Sequence, residues 1–265
     1  TVVGFQAGYN INSTDANRTT LVGYTAGRSL TSGQGNVAVG SEALRTEDTG
    51  DFNTAIGHQA LYTQNRDGTV NNTAVGYKAG YAVTTAFDTT LVGSNAGVSI
   101  TDGSGNTAIG SNVMDNMTTG DFNTAVGVQA LSQEDVGRGT TAIGYEALYN
   151  QNSDSNDEET GNVAVGRSAG YGVTTGTSNT LLGRSAGASI TTGIENVRIG
   201  SYAGNANNES YLVIIGSSAG QYSGNASVHI GRLAGRFMGG IHNVSIGYHA
   251  GAWNTNSPGA AGGYN

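Results

Sequence analysis

Polar and apolar positions recur along the chain in one short pattern: Asn, then Thr or Val, then a small residue, then Val or Ile, then Gly. Asn53-Thr54-Ala55-Ile56-Gly57 returns as Asn72-Thr73-Ala74-Val75-Gly76, Asn106-Thr107-Ala108-Ile109-Gly110 and Asn123-Thr124-Ala125-Val126-Gly127. Three alternating residues set between turn formers predict a very short strand. The final Gly serves as an anchor, and 15 of them run from Gly4 to Gly247: Gly4, Gly23, Gly40, Gly57, Gly76, Gly93, Gly110, Gly127, Gly144, Gly166, Gly183, Gly200, Gly216, Gly231 and Gly247. The commonest spacing is 17 residues. Val, Ile or Leu precedes every anchor, and Ala follows three residues later in 14 of 15 cases, Val113 being the exception.

A unit of about 17 residues is too short to bury a face of its own, which predicts coils stacked about 4.8 Å apart. The fold class is therefore all-β: a parallel β-solenoid, or β-roll, of about 15 coils over residues 1–251. Coils are regular to about residue 200 and shorter over 201–251, and residues 252–265, with Pro258, read as an irregular tail or linker. By strand alternation, the residues one and three before each anchor are expected inside the coil, and the residue two before it outside. That outward position is Ala in seven coils: Ala38, Ala55, Ala74, Ala108, Ala125, Ala142 and Ala164. Small side chains let backbones approach closely, so this column is the candidate oligomer interface.

Asn stands four before the anchor in nine coils, among them Asn53, Asn72, Asn106 and Asn123. Stacked Asn at a corner can bond turn backbone and its neighbours, a structural role. The anchors, such as Gly57, Gly76, Gly110 and Gly127, are expected at another corner, where positive φ or close backbone contact excludes a Cβ. Past the invariant Ala the coils divide. When Gly lies four after the anchor, the residue seven after is usually apolar, as in Gly27 with Leu30 or Gly97 with Ile100. When Leu lies there it is polar, as in Leu44 with Glu47, Leu61 with Gln64, Leu131 with Glu134 and Leu148 with Gln151. We expect one large apolar plug per coil, delivered by two local backbone paths, and lost in the last coils. Thr49–Leu61 reappears 70 residues later as Thr119–Leu131, a sign of internal duplication.

Composition narrows the class. Gly (44), Thr (31) and Asn (27) together make up 102 of 265 residues, only 1 Pro is present, and charged residues make up 11%. This much Gly disfavours helical bundles, and collagen would need Gly at every third residue with abundant Pro. With 0 Cys there is no disulfide framework or thiolate chemistry. A net charge of −8 with only 11 Lys and Arg argues against nucleic acid. No apolar run reaches the roughly 18 residues of a membrane span, so no membrane insertion is expected. The chain begins at Thr1 inside a repeated motif, which suggests a fragment or processed product.

Catalytic constellations, metal-ligand spacings, phosphate loops and the calcium nonapeptide are all absent from the sequence, so neither an enzyme nor a cofactor is expected. Longer spacings mark insertions at residues 10–18, 62–71 and 149–161. Polar loops with an aromatic root on a rigid scaffold are where binding usually resides. The candidate receptor-binding residues are therefore Tyr62, Asn65, Arg66, Asp67, Tyr149, Asn152, Asp154 and Trp253. A plain solvated insertion is the competing reading. The acidic cluster around Asp154, Asp157, Glu158 and Glu159 is a weaker candidate for a cation.

At its Asn-Thr/Val-Ala-Val/Ile-Gly core the chain resembles the head repeat of trimeric autotransporter adhesins, and still more the Asn-Thr-Ala-Val-Gly repeats of phage tail fibres. The resemblance covers about residues 1–251 and implies a homotrimeric extracellular fibre, on a virion tail or a bacterial surface, with the Ala column on the three-fold axis. It implies attachment to a cell-surface glycan or protein receptor. The coil here is 17 residues, longer than the adhesin repeat, and no coiled-coil stalk, membrane anchor or chaperone segment is visible in it. Two alternatives stand beside this: a self-assembling filament with no receptor, and an ice-binding solenoid, prompted by the Thr eight after the anchor at Thr31, Thr84, Thr101, Thr118, Thr174 and Thr191.

Overall fold

A computed structural model of the chain describes residues 1–12, 18–155, 158–206 and 208–252. Among these every regular element is a strand, and the protein is a parallel β-solenoid of about 14 turns of about 17 residues. Trp253, Asp157 and most of the 252–265 tail lie outside the described residues. The chain divides into two compact units, Thr1–Gly139 with Ser155–Glu158, and Thr140–Asp154 with Glu159–Asn265.

The first unit carries β1 (Val2–Val3), β2 (Thr20–Val22), β3 (Val37–Val39), β4 (Gly50–Asp51) and β5 (Thr54–Ile56). It continues with β6 (Gly68–Thr69), β7 (Thr73–Val75), β8 (Thr90–Val92), β9 (Thr107–Ile109) and β10 (Thr124–Val126). All but two of these join one parallel ladder in chain order, while β4 and β6 pair with each other. The second unit carries β11 (Thr141–Ile143), β12 (Val163–Val165), β13 (Thr180–Leu182), β14 (Val197–Ile199), β15 (Val213–Ile215), β16 (Val228–Ile230) and β17 (Val244–Ile246), again in chain order. Motif positions stack on themselves: Thr124 opposes Thr107, Ala125 opposes Ala108 and Val126 opposes Ile109.

Strands of three residues could not satisfy a chain on their own. The coil-to-coil hydrogen bonds continue round the turns, as from Leu44 N to Ala60 O (2.9 Å) and from Thr101 N to Thr118 O (2.9 Å). Neighbouring coils thereby pair backbone groups that a thin rod would otherwise bury unmet. The anchor Gly meets both conditions expected of it. At Gly76 φ is +141°, and an added Cβ would sit 2.2 Å from the carbonyl oxygen of Gly93.

The strand faces are the reverse of the sequence expectation. Ala38, Ala55, Ala74, Ala108, Ala125, Ala142 and Ala164 have no exposed surface within the single chain, so they are not an interface with another chain. The residues one and three before the anchor point outward, and none of them is buried. The physical reason is the thinness of the coil. Its interior holds the residue seven after the anchor and, in most turns, one further large side chain, as Leu91 with Ile100 or Leu131 with Glu134, and Ala leaves room for a plug arriving from the opposite wall.

The plug also moves differently from the expectation. The residue four after the anchor is left-handed in both kinds of coil, with φ near 50° at Leu44, Leu61, Leu131 and Leu148 and 54–60° at Gly27, Gly80 and Gly97. One backbone path therefore serves both, and side-chain volume is what changes places. Leu21, Leu91 and Leu181, two before their anchors, face Gly27, Gly97 and Gly187, where an added Cβ would lie within 2.9 Å of the Leu methyls. Coils with Leu four after the anchor carry Ala two before it. In the coil with Ala74 and Gly80, Leu61 and Leu91 lean in from the coils on either side, 2.9 and 2.7 Å from where that Cβ would be. A left-handed Leu costs about 1–2 kcal/mol, which burial of its side chain, worth about 2 kcal/mol, offsets.

The residue seven after the anchor stays inside even when polar. Buried Glu47 accepts from the backbone N–H groups of Asp48 (3.0 Å), Thr49 (3.2 Å) and Gly50 (2.7 Å), and from Gln64 Nε2 (2.9 Å). Its polarity is that of a cap on a buried turn. The Asn row is likewise internal. Asn106 Oδ1 accepts from Asn123 N (2.8 Å), and its Nδ2 donates to Gly120 O (2.6 Å). Asn162 repeats this with Asn179 N (2.9 Å) and Gly176 O (2.7 Å).

The last coils do keep a plug, supplied from two before the anchor by Arg198, Ile214 and His229, all fully buried. Arg198 donates through Nη1 to Gly204 O and through Nη2 to Glu209 O (3.1 Å). Burial pulls its pKa down to about 9, opposed by the charge of Glu209.

Candidate functional site

Each three-residue motif strand presents two side chains outward, one and three before its anchor Gly, and none of these positions holds a charged residue. In the first unit the outward pairs are mostly Thr with an aliphatic: Thr54 and Ile56, Thr73 and Val75, Thr90 and Val92, Thr107 and Ile109, Thr124 and Val126. In the second unit the pairs become wholly aliphatic from β14 on: Val197 and Ile199, Val213 and Ile215, Val228 and Ile230, Val244 and Ile246. Most of these side chains are half-buried, and the most open of the aliphatics is Ile246 at 67% exposed. Ordinary solvated sheets alternate apolar-in with polar-out. Here one outward rank is aliphatic throughout and the other is Thr or Val, while the inward rank holds Ala or Leu, and later Arg198, Ile214 and His229.

Sequence reasoning missed this face because a small-residue column was read as a surface of close approach. A usable signal was present. Leu, Arg and Ile occur two before the anchor only where Gly stands four after it, a volume exchange that needs both positions inside.

The first loop, from Tyr62, is partly built into the fold through β6. Tyr62 stacks on Tyr81 with ring centroids 5.1 Å apart, and Arg45 lies over its other side at 5.3 Å and donates to its hydroxyl. Arg66 donates to Thr85 O (2.8 Å) and covers the Phe87 ring at 4.3 Å. Asp67 accepts from Thr49 Oγ1, and the Asn65 side chain is exposed. In the other loop Tyr149 stacks on Tyr171 at 5.4 Å, while Asn152 and Asp154 are exposed. Tyr62 thus has one ring face on Tyr81 and a further neighbour in Arg45, while stacking on Tyr171 covers one face of Tyr149. The structure brings Tyr62 and Arg66 into internal contacts and leaves Asn65, Asn152 and Asp154 on the surface.

Aromatic and cationic side chains also stack along the coils elsewhere. Phe5 lies on Tyr24 at 5.6 Å and His58 on Tyr77 at 5.6 Å, while Arg167 lies 5.9 Å over Tyr145. The Tyr145 hydroxyl is pushed up from its ordinary pKa by its hydrogen bond to Glu146 and by that carboxylate's charge. The Thr hydroxyls eight after the anchor bond the next coil. Thr31 donates to Asp48 O (3.0 Å), Thr101 to Thr118 O (3.2 Å) and Thr118 to Asp135 O (3.1 Å).

Among the described residues no three His, Cys, Asp or Glu side chains group as metal ligands would, and no helix is long and apolar enough to cross a membrane. No protein-family model matches the chain, and no curated protein sequence does.

Proposed function

We propose that this protein is a structural fibre segment for attachment to a cell surface or matrix, and that its copies associate through the outward Thr/Val/Ile face. One observation carries the reading: two continuous outward ranks without a charge, on sheets whose interior row includes Arg198 and His229. An apolar strip of this extent is the kind of surface proteins reserve for partners. A second copy offers the same regular spacing, so coils of two or three chains can meet in register, as the trimeric repeats that this chain resembles would have it. The exposed ends of the loops, at Asn65, Asn152 and Asp154, are then the places for receptor contact.

Sedimentation tests this. The wild type is expected as an oligomer, and the double variant Ile109→Glu/Val126→Glu as a single chain with unchanged β-signal. A wild type that sediments as one chain at micromolar concentration removes the assembly. Glycan-array and cell-binding assays then separate an attachment segment from a pure shaft, which binds nothing.

A second reading is favoured by one feature of the same face. Five consecutive coils, β5 to β10 without β6, repeat Thr-x-Val/Ile on in-register strands, a flat lattice of hydroxyls and methyls of the sort that could order water. Ice binding would appear as thermal hysteresis in the pure protein, and an absence of hysteresis eliminates it.

A further inference from the structure

His229, on β16, is the one titratable side chain inside the last three coils, and its surroundings give it nothing to bond. It is fully buried and neither ring nitrogen has a hydrogen-bond partner. Its ring lies so close over Gly235 that an added Cβ there would be 2.1 Å from Nδ1, and its Cδ2 would be 3.2 Å from a Cβ at Gly220. Across the ladder it is level with Ile214 on β15 and Ser245 on β17. None of β15, β17 or the turn at residues 216–220 carries a charged group, and the turn at 231–235 carries only Arg232. The remaining titratable groups of this stretch, Arg236, His242, His249 and the phenols Tyr211, Tyr222 and Tyr248, are not buried, and none of them is a carboxylate. After Glu209 the described chain holds no carboxylate at all. A proton on this ring would therefore be a buried cation with no carboxylate to meet it, among carbon, glycine backbone and the Ser245 hydroxyl.

We propose that His229 makes the coils of β15, β16 and β17 an acid-operated joint, closed while the ring is neutral and opened by its protonation. Taking an unpaired charge out of water is costly, and a buried group avoids it by staying neutral or by leaving the interior. Burial accordingly lowers the pKa of His229 from 6.5 to about 4. The sign follows from that direction. Between pH 6.5 and about 4 the open form binds a proton that the closed form refuses, so the contribution is full above 6.5 and is lost as pH falls through this window. Opening would release the outward aliphatic pairs of β15 to β17 together with the edge of β14. The inference is independent of the fibre reading, since it concerns only the interior of these coils.

Amide hydrogen exchange on the intact protein at pH 7 and pH 4.5, corrected for intrinsic rates, is the test. Protection at Val228–Ile230 is expected to fall by about two orders of magnitude, tenfold per pH unit of linkage, while Thr180–Leu182 on β13 is unchanged. His229→Leu should abolish the acid loss, and the double variant His242→Gln/His249→Gln should keep it. Where His229→Leu does not fold, the wild-type ring titration followed by NMR replaces it, and its midpoint must lie well below 6.5. Equal protection at both pH values, an unchanged acid loss in His229→Leu, or a loss abolished by the surface double variant would each overturn the proposal.

Discussion

The regular coils of β5 to β10 and the short coils of β14 to β17 solve the same packing problem with opposite materials. In the regular coils the interior row is Ala or Leu, and Asn stacks on Asn at the corner except at Thr89. In the short coils the interior row is Arg198, Ile214, His229 and Ser245, and from Leu212 on the corner loses its Asn until Asn243, which is not buried. Outside, the order inverts, with Thr beside Val or Ile in the first set and aliphatics alone in the second. The lesson is that a solenoid needs a fixed volume per turn from its interior row, and that polar side chains can supply it, Arg198 with backbone carbonyls as partners and His229 with none. The outward row is under a different constraint, and its apolar character does not come from core packing.

Anchor glycines should separate the two regions most sharply. Gly76→Ala puts a methyl group 2.2 Å from a backbone oxygen at φ +141°, and neither coil can yield. A loss of at least about 4 kcal/mol is expected, enough to break the ladder there. Gly247→Ala in the last coil meets only the Ala250 Cβ at 3.9 Å, so it keeps the strain of φ +126° without the clash. About 1–3 kcal/mol is expected for it. Urea unfolding of both variants checks this, and equal losses would mean that the stacking contact is not what selects Gly.

Volume exchange gives the smaller effect. Ala125→Leu forces a second large side chain into a coil that already holds buried Leu131, and should cost about 1–3 kcal/mol. Adding Leu131→Gly recreates the arrangement of Leu91 with Gly97, and the double variant should be more stable than additivity allows by at least about 1 kcal/mol. Simple additivity in the double-mutant cycle would break the account of the plug.

Much of the fold was legible in the chain because one motif repeats. The anchors at Gly23 to Gly247 give coil length and parallel stacking, since the same five residues can pair in register with themselves. The two strand faces were not legible from alternation, which says that Ala125 and Val126 point opposite ways and does not say which is inside. Hydrophobicity suggested Val126, whereas thinness decides for Ala125. The left-handed Leu44, Leu61, Leu131 and Leu148 were also invisible, because a Leu in that conformation goes against local preference and is held by burial and by contacts with the next coil, such as Leu44 N to Ala60 O. At the loops, Tyr62 and Tyr149 were singled out as aromatic roots of insertions. That they stack on Tyr81 and Tyr171 depends on coil-to-coil register, which the sequence around each loop does not display.

The assignment of strand faces is the central claim, and the absence of Cys makes it directly measurable. Thr124→Cys, Ala125→Cys and Val126→Cys each introduce a single thiol on β10, and each can be labelled in the native protein and again in denaturant. To expose the outward face, labelling is done in the Ile109→Glu background. The expected result is rapid native labelling at residues 124 and 126, and none at residue 125 until the protein unfolds. Rapid labelling at 125 with protection at 124 and 126 would contradict the structure and return the Ala column to the surface.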